Sequence, residues 1–314
     1  MEDKIMAYGV FMGKRFKPKQ KERFINGLGN EFAQMGYTVR LMKDDEKRKN
    51  AVTNLIVGDI ANATTVYTAY YDTPARYLWG NVKYYPLNGT LSMKTSLWPT
   101  YLPIFVVLGL VGAGFAALFM NKELGGDFRT VLLFVAAILA FIITSAVSRG
   151  FANPCNINRN TSGIMTLLDV ASKLNEEQRK KVAFLLFDRG TTDGSGMNMV
   201  AQAMPKTLDK HQFIFVDCVA KGSCVAVGYR DNNEREARKL MSAYKGNKET
   251  KVVLMDEKRA VYTGAYFVPR AVVVTAGEFD GNDVYVSHTG SKKDMTWDEE
   301  VMKDISSMLL GYLK

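Results

Sequence analysis

The chain has few cysteines, and those it has do not form a recognisable framework. Its 314 residues include 3 cysteines, at Cys155, Cys218 and Cys224. Their number is odd, and their spacing is not that of a zinc site. This pattern argues against a disulfide-stapled secreted domain. We therefore expect free thiols in a reducing compartment.

A secretion signal and a nucleic-acid-binding stripe are also lacking. Residues 1–10 have no basic start followed by an apolar core, so we expect no cleaved signal peptide. The net charge is +9, but the basic residues form no stripe interleaved with aromatics, and we expect no nucleic-acid partner. The charge instead suits an anionic membrane surface or acidic partners. A generic basic surface is the alternative.

The sequence does contain two long apolar runs near its middle, at residues 98–120 and 130–147. Neither run contains a charge, and each is about long enough to cross a hydrocarbon core of roughly 30 Å as a helix. The turn between them carries four charges that balance: Lys122, Glu123, Asp127 and Arg129. We predict a two-helix transmembrane hairpin. A buried helical hairpin in a large soluble core is the alternative.

Basic residues flank the hairpin on its domain side. Arg76, Lys83 and Lys94 precede the first run, whereas Arg149 and Arg159 follow the second. The first run is expected to act as an internal signal anchor. The positive-inside rule then places the globular part in the cytoplasm and the turn outside.

Outside the hairpin, helical and strand patterns alternate. Helices are predicted at residues 18–36, 163–174, 197–204, 232–244 and 297–313, and strands at 37–41, 54–58, 64–71, 181–188, 213–218, 252–255 and 271–275. This alternation predicts an α/β fold, a three-layer αβα sandwich with a mixed, mostly parallel sheet. The hairpin would be an insertion, giving three segments: 1–97, 98–148 and 149–314.

Polar motifs follow several predicted strands, where sites form in such sheets. They are Tyr70-Tyr71-Asp72-Thr73, Asp188-Arg189-Gly190-Thr191, Asp217-Cys218 and Ser287-His288-Thr289, and a helix starts at Asn160-Thr161-Ser162-Gly163. In order and spacing this series resembles the M28 family of zinc aminopeptidases over nearly the whole chain outside the hairpin. The resemblance implies a phosphorylase/hydrolase-like αβα fold and, in active members, two zinc ions.

Most positions that match the family's catalytic residues are changed. The resemblance places Tyr70 at the first zinc-ligating histidine and Arg159 at the bridging aspartate. Gly190 and Thr191 stand where the family has its general base and a further ligand. These departures leave the chain without most of the family's metal-binding and acid–base groups.

Two matching ligand types remain, Asp217 and His288, and the resemblance assigns them to different metals. Zinc needs three or four converging ligands, and the fixed cation of Arg159 would repel a dication. We therefore expect no zinc cofactor; any zinc would rely on Asp217 and His288. The missing base also removes the group that would activate water.

Four residues of these motifs are expected to line a ligand-binding cleft instead: Asp72, Arg159, Asp217 and His288. Arg159 is predicted to pair with Asp217 or Asp72 in a buried network, with metal ligation by the carboxylates as the alternative. His288 is predicted to be a hydrogen-bonded pocket histidine rather than a metal ligand. A cysteine nucleophile, Cys155 or Cys218 with His288 as its base, is a further alternative.

Three functions compete on this basis. The first is a membrane-anchored, catalytically inactive M28-like protein, a pseudopeptidase that binds a peptide or protein partner in the old cleft. The second is an active metallo-aminopeptidase or other hydrolase with a remodelled site, either with one metal or without metal. The third is a subunit of a membrane complex whose hairpin packs against other helices. Metal content and aminoacyl hydrolysis separate the first two.

Overall fold

The computed structural model describes residues 2–45, 51–78, 81–120 and 125–314. Of the turn predicted between the apolar runs, Lys122 and Glu123 lie outside the described residues. The described helices, in chain order, are α1 (Glu2–Ile5), α2 (Pro18–Gln34), α3 (Gly89–Met120), α4 (Gly126–Arg149), α5 (Ser162–Lys173), α6 (Glu176–Lys181), α7 (Ser195–Ala203), α8 (Glu234–Ser242), α9 (Glu257–Ala260) and α10 (Glu299–Tyr312). Two π-helical turns, Met6–Phe11 and Ile157–Thr161, follow α1 and precede α5.

The described strands form one mixed sheet with a parallel centre. They are β1 (Val39–Lys43), β2 (Thr53–Val57), β3 (Thr65–Tyr70), β4 (Val182–Phe187), β5 (Gln212–Val216), β6 (Cys224–Tyr229), β7 (Glu249–Leu254), β8 (Ala271–Asp280) and β9 (Asp283–Tyr285). Their order is β1-β2-β4-β3-β5-β8-β6-β7, with β9 beside β8. The neighbours β4, β3, β5 and β8 run parallel, whereas β1, β2, β6 and β9 bring antiparallel pairings.

Two hydrophobic layers cover the two faces of this sheet. Residues of α2, α5, α8 and α10 pack on one face, and residues of α7 and the segment 265–268 pack on the other. Successive side chains of β3 point to opposite faces of the sheet. Tyr67 and Ala69 therefore belong to the first layer, and Val66 and Tyr70 belong to the second. The predicted αβα sandwich is confirmed.

The strand β6 is absent from the sequence prediction, and its glycine explains why. Gly228 interrupts an otherwise short apolar run, which weakens the strand signal. In the fold, a Cβ at this position would lie 2.6 Å from both Leu87 Cδ2 and Met255 Sδ. The glycine is therefore required by the close approach of neighbouring side chains. The short elements β9, α6 and α9 also lack a periodic signal long enough to predict them.

The two apolar runs form α3 and α4, both long and apolar enough to cross a membrane. Only 6% of the apolar window of α3 and none of that of α4 is buried within the protein. This exposure distinguishes them from the core helices of a soluble domain. Because β1 to β3 precede this pair of helices and β4 to β9 follow it, the sheet is assembled from both sides of the hairpin.

The helix α3 begins earlier than its apolar run, and its first turns belong to the globular part. The Leu91 N–H donates to Asn88 Oδ1 at 3.1 Å, which caps the helix start. Thr95 Oγ1 donates to the carbonyl of Lys83 at 2.7 Å. At the other end of the hairpin, Ala152 forms a β-bridge with Ala75. Both ends of the hairpin are thus bonded to the domain.

Candidate functional site

The site predicted from the polar motifs lies at one edge of the sheet, where β3, β4 and β5 end. Asp72 follows β3, Gly190 and Thr191 follow β4, and Asp217 follows β5 directly. The π-helical turn Ile157–Thr161 brings Arg159 to the same edge, next to Tyr70. The parallel centre of the sheet thus gathers residues that are distant in sequence.

The carboxylate of Asp217 is held by two tyrosine hydroxyls. Tyr70 Oη donates to Asp217 Oδ1 at 2.6 Å, and Tyr84 Oη donates to Asp217 Oδ2 at 2.7 Å. Asp217 is buried. Burial raises the pKa of both tyrosines well above its ordinary value, and the nearby Asp217 adds to the effect. Both hydroxyls therefore stay protonated and available as donors.

Sequence reasoning missed Tyr84, although it completes this arrangement. It lies in the segment before α3 and follows no predicted strand. Its backbone pairs with Val286, since Tyr84 N donates to Val286 O at 2.9 Å and Val286 N donates to Tyr84 O at 2.7 Å. This isolated bridge joins segments about two hundred residues apart. A local sequence pattern therefore cannot predict it.

The guanidinium of Arg159 stacks on a tyrosine face and makes no ion pair with a carboxylate of the described residues. Its Cζ lies 3.1 Å from the ring centroid of Tyr84 and 5.5 Å from that of Tyr70. Arg159 is 8% exposed. The structure therefore lacks the direct pairing predicted with Asp217 or Asp72. The cation stacks instead on Tyr84, whose hydroxyl binds Asp217, and Arg159 and Asp217 attract each other without a direct contact.

Burial by itself lowers the pKa of Arg159, but Tyr70, Tyr84 and Asp217 outweigh it, and the net pKa is above its ordinary value. The guanidinium therefore keeps its charge. Asp294 holds the backbone at Arg159 in place. Its carboxylate accepts hydrogen bonds from the Asn158 N–H at 2.8 Å and from the Arg159 N–H at 3.1 Å. A permanent cation is thus built into this edge of the sheet.

Gly190 and Thr191 bind Asp72, which is why Asp72 does not pair with Arg159. The Gly190 N–H donates to Asp72 Oδ1 at 2.7 Å, and the Thr191 N–H donates to Asp72 Oδ2 at 3.2 Å. Burial raises the pKa of Asp72, opposed by Lys21 and by the Thr191 bonds. Asp72 therefore serves to shape the loop after β4.

Gly190 also leaves no space for a larger residue. A Cβ at this position would collide with Cβ and Cγ of Tyr70 and would lie 2.9 Å from Phe187 Cε2. The tyrosine at position 70 and the glycine at position 190 therefore fit each other. The residues at two of the positions where the sequence was expected to depart from the M28 pattern are thus coupled sterically.

His288 and Cys218 do not form a catalytic pair. His288 has φ of +67°, and its backbone N–H donates to Asn81 Oδ1 at 3.1 Å. Its imidazole makes no hydrogen bond with the described residues, and burial, Lys293 and Lys221 lower its pKa. Burial and Asp217 raise the pKa of the Cys218 thiol well above its ordinary value. A buried, protonated thiol is inert as a nucleophile.

The donor set does not fit paired zinc ions. Among the described residues, no group of three or more His, Cys, Asp or Glu side chains is placed to hold a metal ion. At the predicted centre, both oxygens of Asp217 accept hydroxyl protons, and the Arg159 cation lies beside them. A dication here would face a fixed positive charge with one carboxylate, which is not a zinc coordination shell.

Two cavities adjoin these residues. The first, of about 180 Å³, is lined by Arg159, Thr191 and Thr289 and by Ser92 and Ser96 of α3. We call it the Arg159 cavity. The second, of about 520 Å³, lies between the start of α2 and the beginning of β2, and Asp72 and Asp188 reach it. Lys21 forms an ion pair with Asp188 there, with Nζ 2.6 Å from Oδ1. His288 lines neither cavity.

No known family profile matches the chain, and no curated protein matches it. Solved structures do share its fold. A Zn-dependent exopeptidase from Parabacteroides distasonis ATCC 8503 is 12% identical with a TM-score of 0.55, over 100% of this chain and 97% of the other. The glutaminyl cyclase of Macrostomum lignano is 12% identical with a TM-score of 0.56, over 99% and 88% of the two chains.

The LapA aminopeptidase of Legionella pneumophila is 10% identical with a TM-score of 0.52, covering 99% of this chain and 68% of that one. At such identities the likeness concerns the fold alone. The chain thus has the αβα fold that is found in Zn-dependent exopeptidases, aminopeptidases and glutaminyl cyclases. The aminopeptidase-like fold predicted from the motifs is confirmed at that level.

Proposed function

We propose that this protein is a membrane-anchored pseudopeptidase: a domain of the M28 aminopeptidase type that lacks zinc chemistry and binds a peptide or protein partner in the former catalytic cleft. One observation carries the proposal. A buried guanidinium lies on Tyr84 beside Asp217, at the position where the M28 pattern has its bridging carboxylate. A cation stands there in place of an anion, so the negative charge that would attract two dications is lost.

The loop after β4 supports the same conclusion. A hydrolase of this pattern needs a carboxylate base next to the scissile bond to activate water. Gly190 offers only a backbone N–H, and that group donates to Asp72. Thr191 donates to the same carboxylate. These two residues stabilise a loop and hold no group that takes up a proton, while the Arg159 cavity keeps space for a ligand.

The proposal is tested by metal analysis of the full-length protein purified in detergent. We expect zinc far below one equivalent per chain and no hydrolysis of aminoacyl-p-nitroanilides, because the ligands and the base are missing. A zinc exopeptidase assayed in parallel serves as the positive control. Stoichiometric zinc together with chelator-sensitive hydrolysis would establish the alternative, an active hydrolase with a remodelled site.

The same proposal places α3 and α4 across the bilayer and the domain in the cytoplasm, with the hairpin as an insertion between residues 1–97 and 149–314. Its support is the basic flanks of the hairpin and the exposure of both apolar helices. The domain would then meet peptides or proteins at the cytoplasmic membrane surface.

Cysteine labelling in intact cells is expected to show this orientation. In a Cys155→Ser background, Gly125→Cys should react with an impermeant maleimide, whereas Asn232→Cys should react only after lysis. Both sites are exposed, and Cys218 and Cys224 are buried. Labelling of Asn232→Cys in intact cells, with Gly125→Cys protected, would reverse the topology.

A further inference from the structure

The lining of the Arg159 cavity has an unbalanced charge. Two cationic residues line it, Arg159 and Lys83, and none of its described lining residues is a carboxylate. Hydroxyl groups make up much of the remaining polar wall: Ser92, Ser96, Thr191, Thr192, Tyr262 and Thr289. The hydroxyls of Ser92, Ser96, Thr191 and Thr192 donate to other groups of the protein. Those of Tyr262 and Thr289 donate to none of the described residues. A cation and free hydroxyl donors together provide what an anion needs in place of water.

Of the two cations, Arg159 is the one that makes no ion pair with a carboxylate of the described residues. Lys83 Nζ lies 2.9 Å from Asp280 Oδ2 and 4.3 Å from the ring centroid of Tyr285, so its charge is engaged outside the cavity. Arg159 is more than nine-tenths buried, yet its guanidinium donates no hydrogen bond to the described residues, and its Nε is a buried donor left unpaired. Such a donor is costly to leave unsatisfied.

The orientation of the guanidinium also leaves its donors available. One face of the guanidinium stacks on the Tyr84 ring. Stacking occupies that face but not the N–H groups at the edge of the guanidinium. That edge is a planar fork whose spacing matches the two oxygens of a carboxylate. The cavity measures about 180 Å³, below the roughly 300 Å³ at which sites for drug-sized ligands begin. It therefore suits one compact group rather than a long segment.

We propose that the Arg159 cavity binds a carboxylate of a peptide, held edge-on by the guanidinium of Arg159. This inference rests on the proposed function, since it names the chemistry by which the former cleft recognises its peptide. A monoanion suits the site better than a phosphate dianion, because the nearby Asp217 already offsets part of the Arg159 charge. The carboxylate comes either from a chain terminus or from an acidic side chain.

The experiment uses the full-length protein in nanodiscs and three synthetic peptides measured by calorimetry. The first ends in a free carboxylate and has neutral side chains, the second has one internal glutamate and an amidated end, and the third is the fully amidated neutral peptide. We expect one of the two acidic peptides to bind at least about tenfold more tightly than the neutral one, as for a charge-assisted bidentate contact. The acidic peptide that binds identifies the source of the carboxylate.

Variants assign the effect to one side chain. Arg159→Gln should remove the preference for the acidic peptide, and Arg159→Lys, which keeps the charge but loses the fork, should retain only part of it. Lys293→Gln is the matched control, because it removes an exposed cation that does not line the cavity. Circular dichroism checks that each variant is folded; the comparison of acidic and neutral peptides on the unchanged protein requires no variant.

Equal binding of acidic and neutral peptides would overturn the carboxylate inference and leave the peptide-binding function standing. Binding of inorganic phosphate in preference to every peptide would overturn it too, and would point to a phosphate ligand. Failure of all three peptides to bind would overturn the carboxylate inference and would leave only a protein partner for the proposed function. Zinc-dependent hydrolysis of a peptide would refute the pseudopeptidase function, whichever end of the peptide is charged.

Discussion

Replacing Gly190 with alanine is expected to lower the free energy of unfolding by about 3 kcal/mol, at the upper end of the range for overpacked cores. The added Cβ would collide with Cβ and Cγ of Tyr70 and approach Phe187 Cε2 to 2.9 Å. Tyr70 cannot move aside without breaking its bond to Asp217. Thermal and denaturant unfolding of the detergent-purified protein, followed by circular dichroism, measures the loss.

Gly29→Ala provides the matched control. Gly29 lies within α2, and a Cβ there would make ordinary contacts, at 3.5 Å from Val39 Cγ1 and 3.8 Å from Leu55 Cδ1. Because glycine is a poor residue inside a helix, this substitution should stabilise the protein by up to about 1 kcal/mol. Equal stability of Gly190→Ala and the unchanged protein would show that Tyr70 does not confine position 190.

Replacing Arg159 with alanine is expected to destabilise the fold by roughly 3 kcal/mol, because it leaves the buried charge of Asp217 without a nearby cation. The change removes the cation next to the buried carboxylate of Asp217 and also the stacking on Tyr84. Asp217 would keep its two tyrosine donors. The same unfolding measurements apply.

A second substitution separates charge from packing. Asp217→Asn in the Arg159→Ala background should recover part of the stability, because a neutral amide no longer needs the cation. Unchanged stability on adding Asp217→Asn would mean that the two charges do not interact. Arg159→Asp should not produce peptidase activity, since Gly190 and Thr191 still provide no base.

The sequence was sufficient for most strands of the sheet and for the edge where the site lies. The apolar run of β4 and the amphipathic faces of α2, α5, α8 and α10 are strong periodic signals, and periodicity reports which faces are buried. The strand β6 was missed because Gly228 breaks its pattern. The need for that glycine comes from Leu87 and Met255, which are far away in sequence.

Part of the composition of the site was predictable, but Tyr84 was missed, His288 lies outside both cavities, and the bonding was not predicted. The motifs located Asp72, Arg159 and Asp217 on one edge, and the loss of zinc-ligating residue types followed from their identity. The hydrogen-bond partners of Asp217 depended on Tyr84, which lies in a segment with no recognisable sequence pattern. A tyrosine hydroxyl competes with a guanidinium for the same carboxylate oxygens, and only three-dimensional placement decides between them.

If α3 and α4 span a membrane as proposed, attachment at two points gives the domain a fixed orientation towards that membrane. The helix α3 is continuous from its apolar run to turns that bond to the domain, and the chain leaving α4 is tied back through Ala75 and Ala152. A domain on one flexible tether rotates freely, whereas a domain held at two points would keep the same side towards the bilayer. Because Ser92 and Ser96 of α3 line the Arg159 cavity, the opening of this cavity would then stay near the lipid surface under the proposed topology. Ligands confined to that surface would reach it at a high effective concentration, so that modest intrinsic affinity would suffice for occupancy.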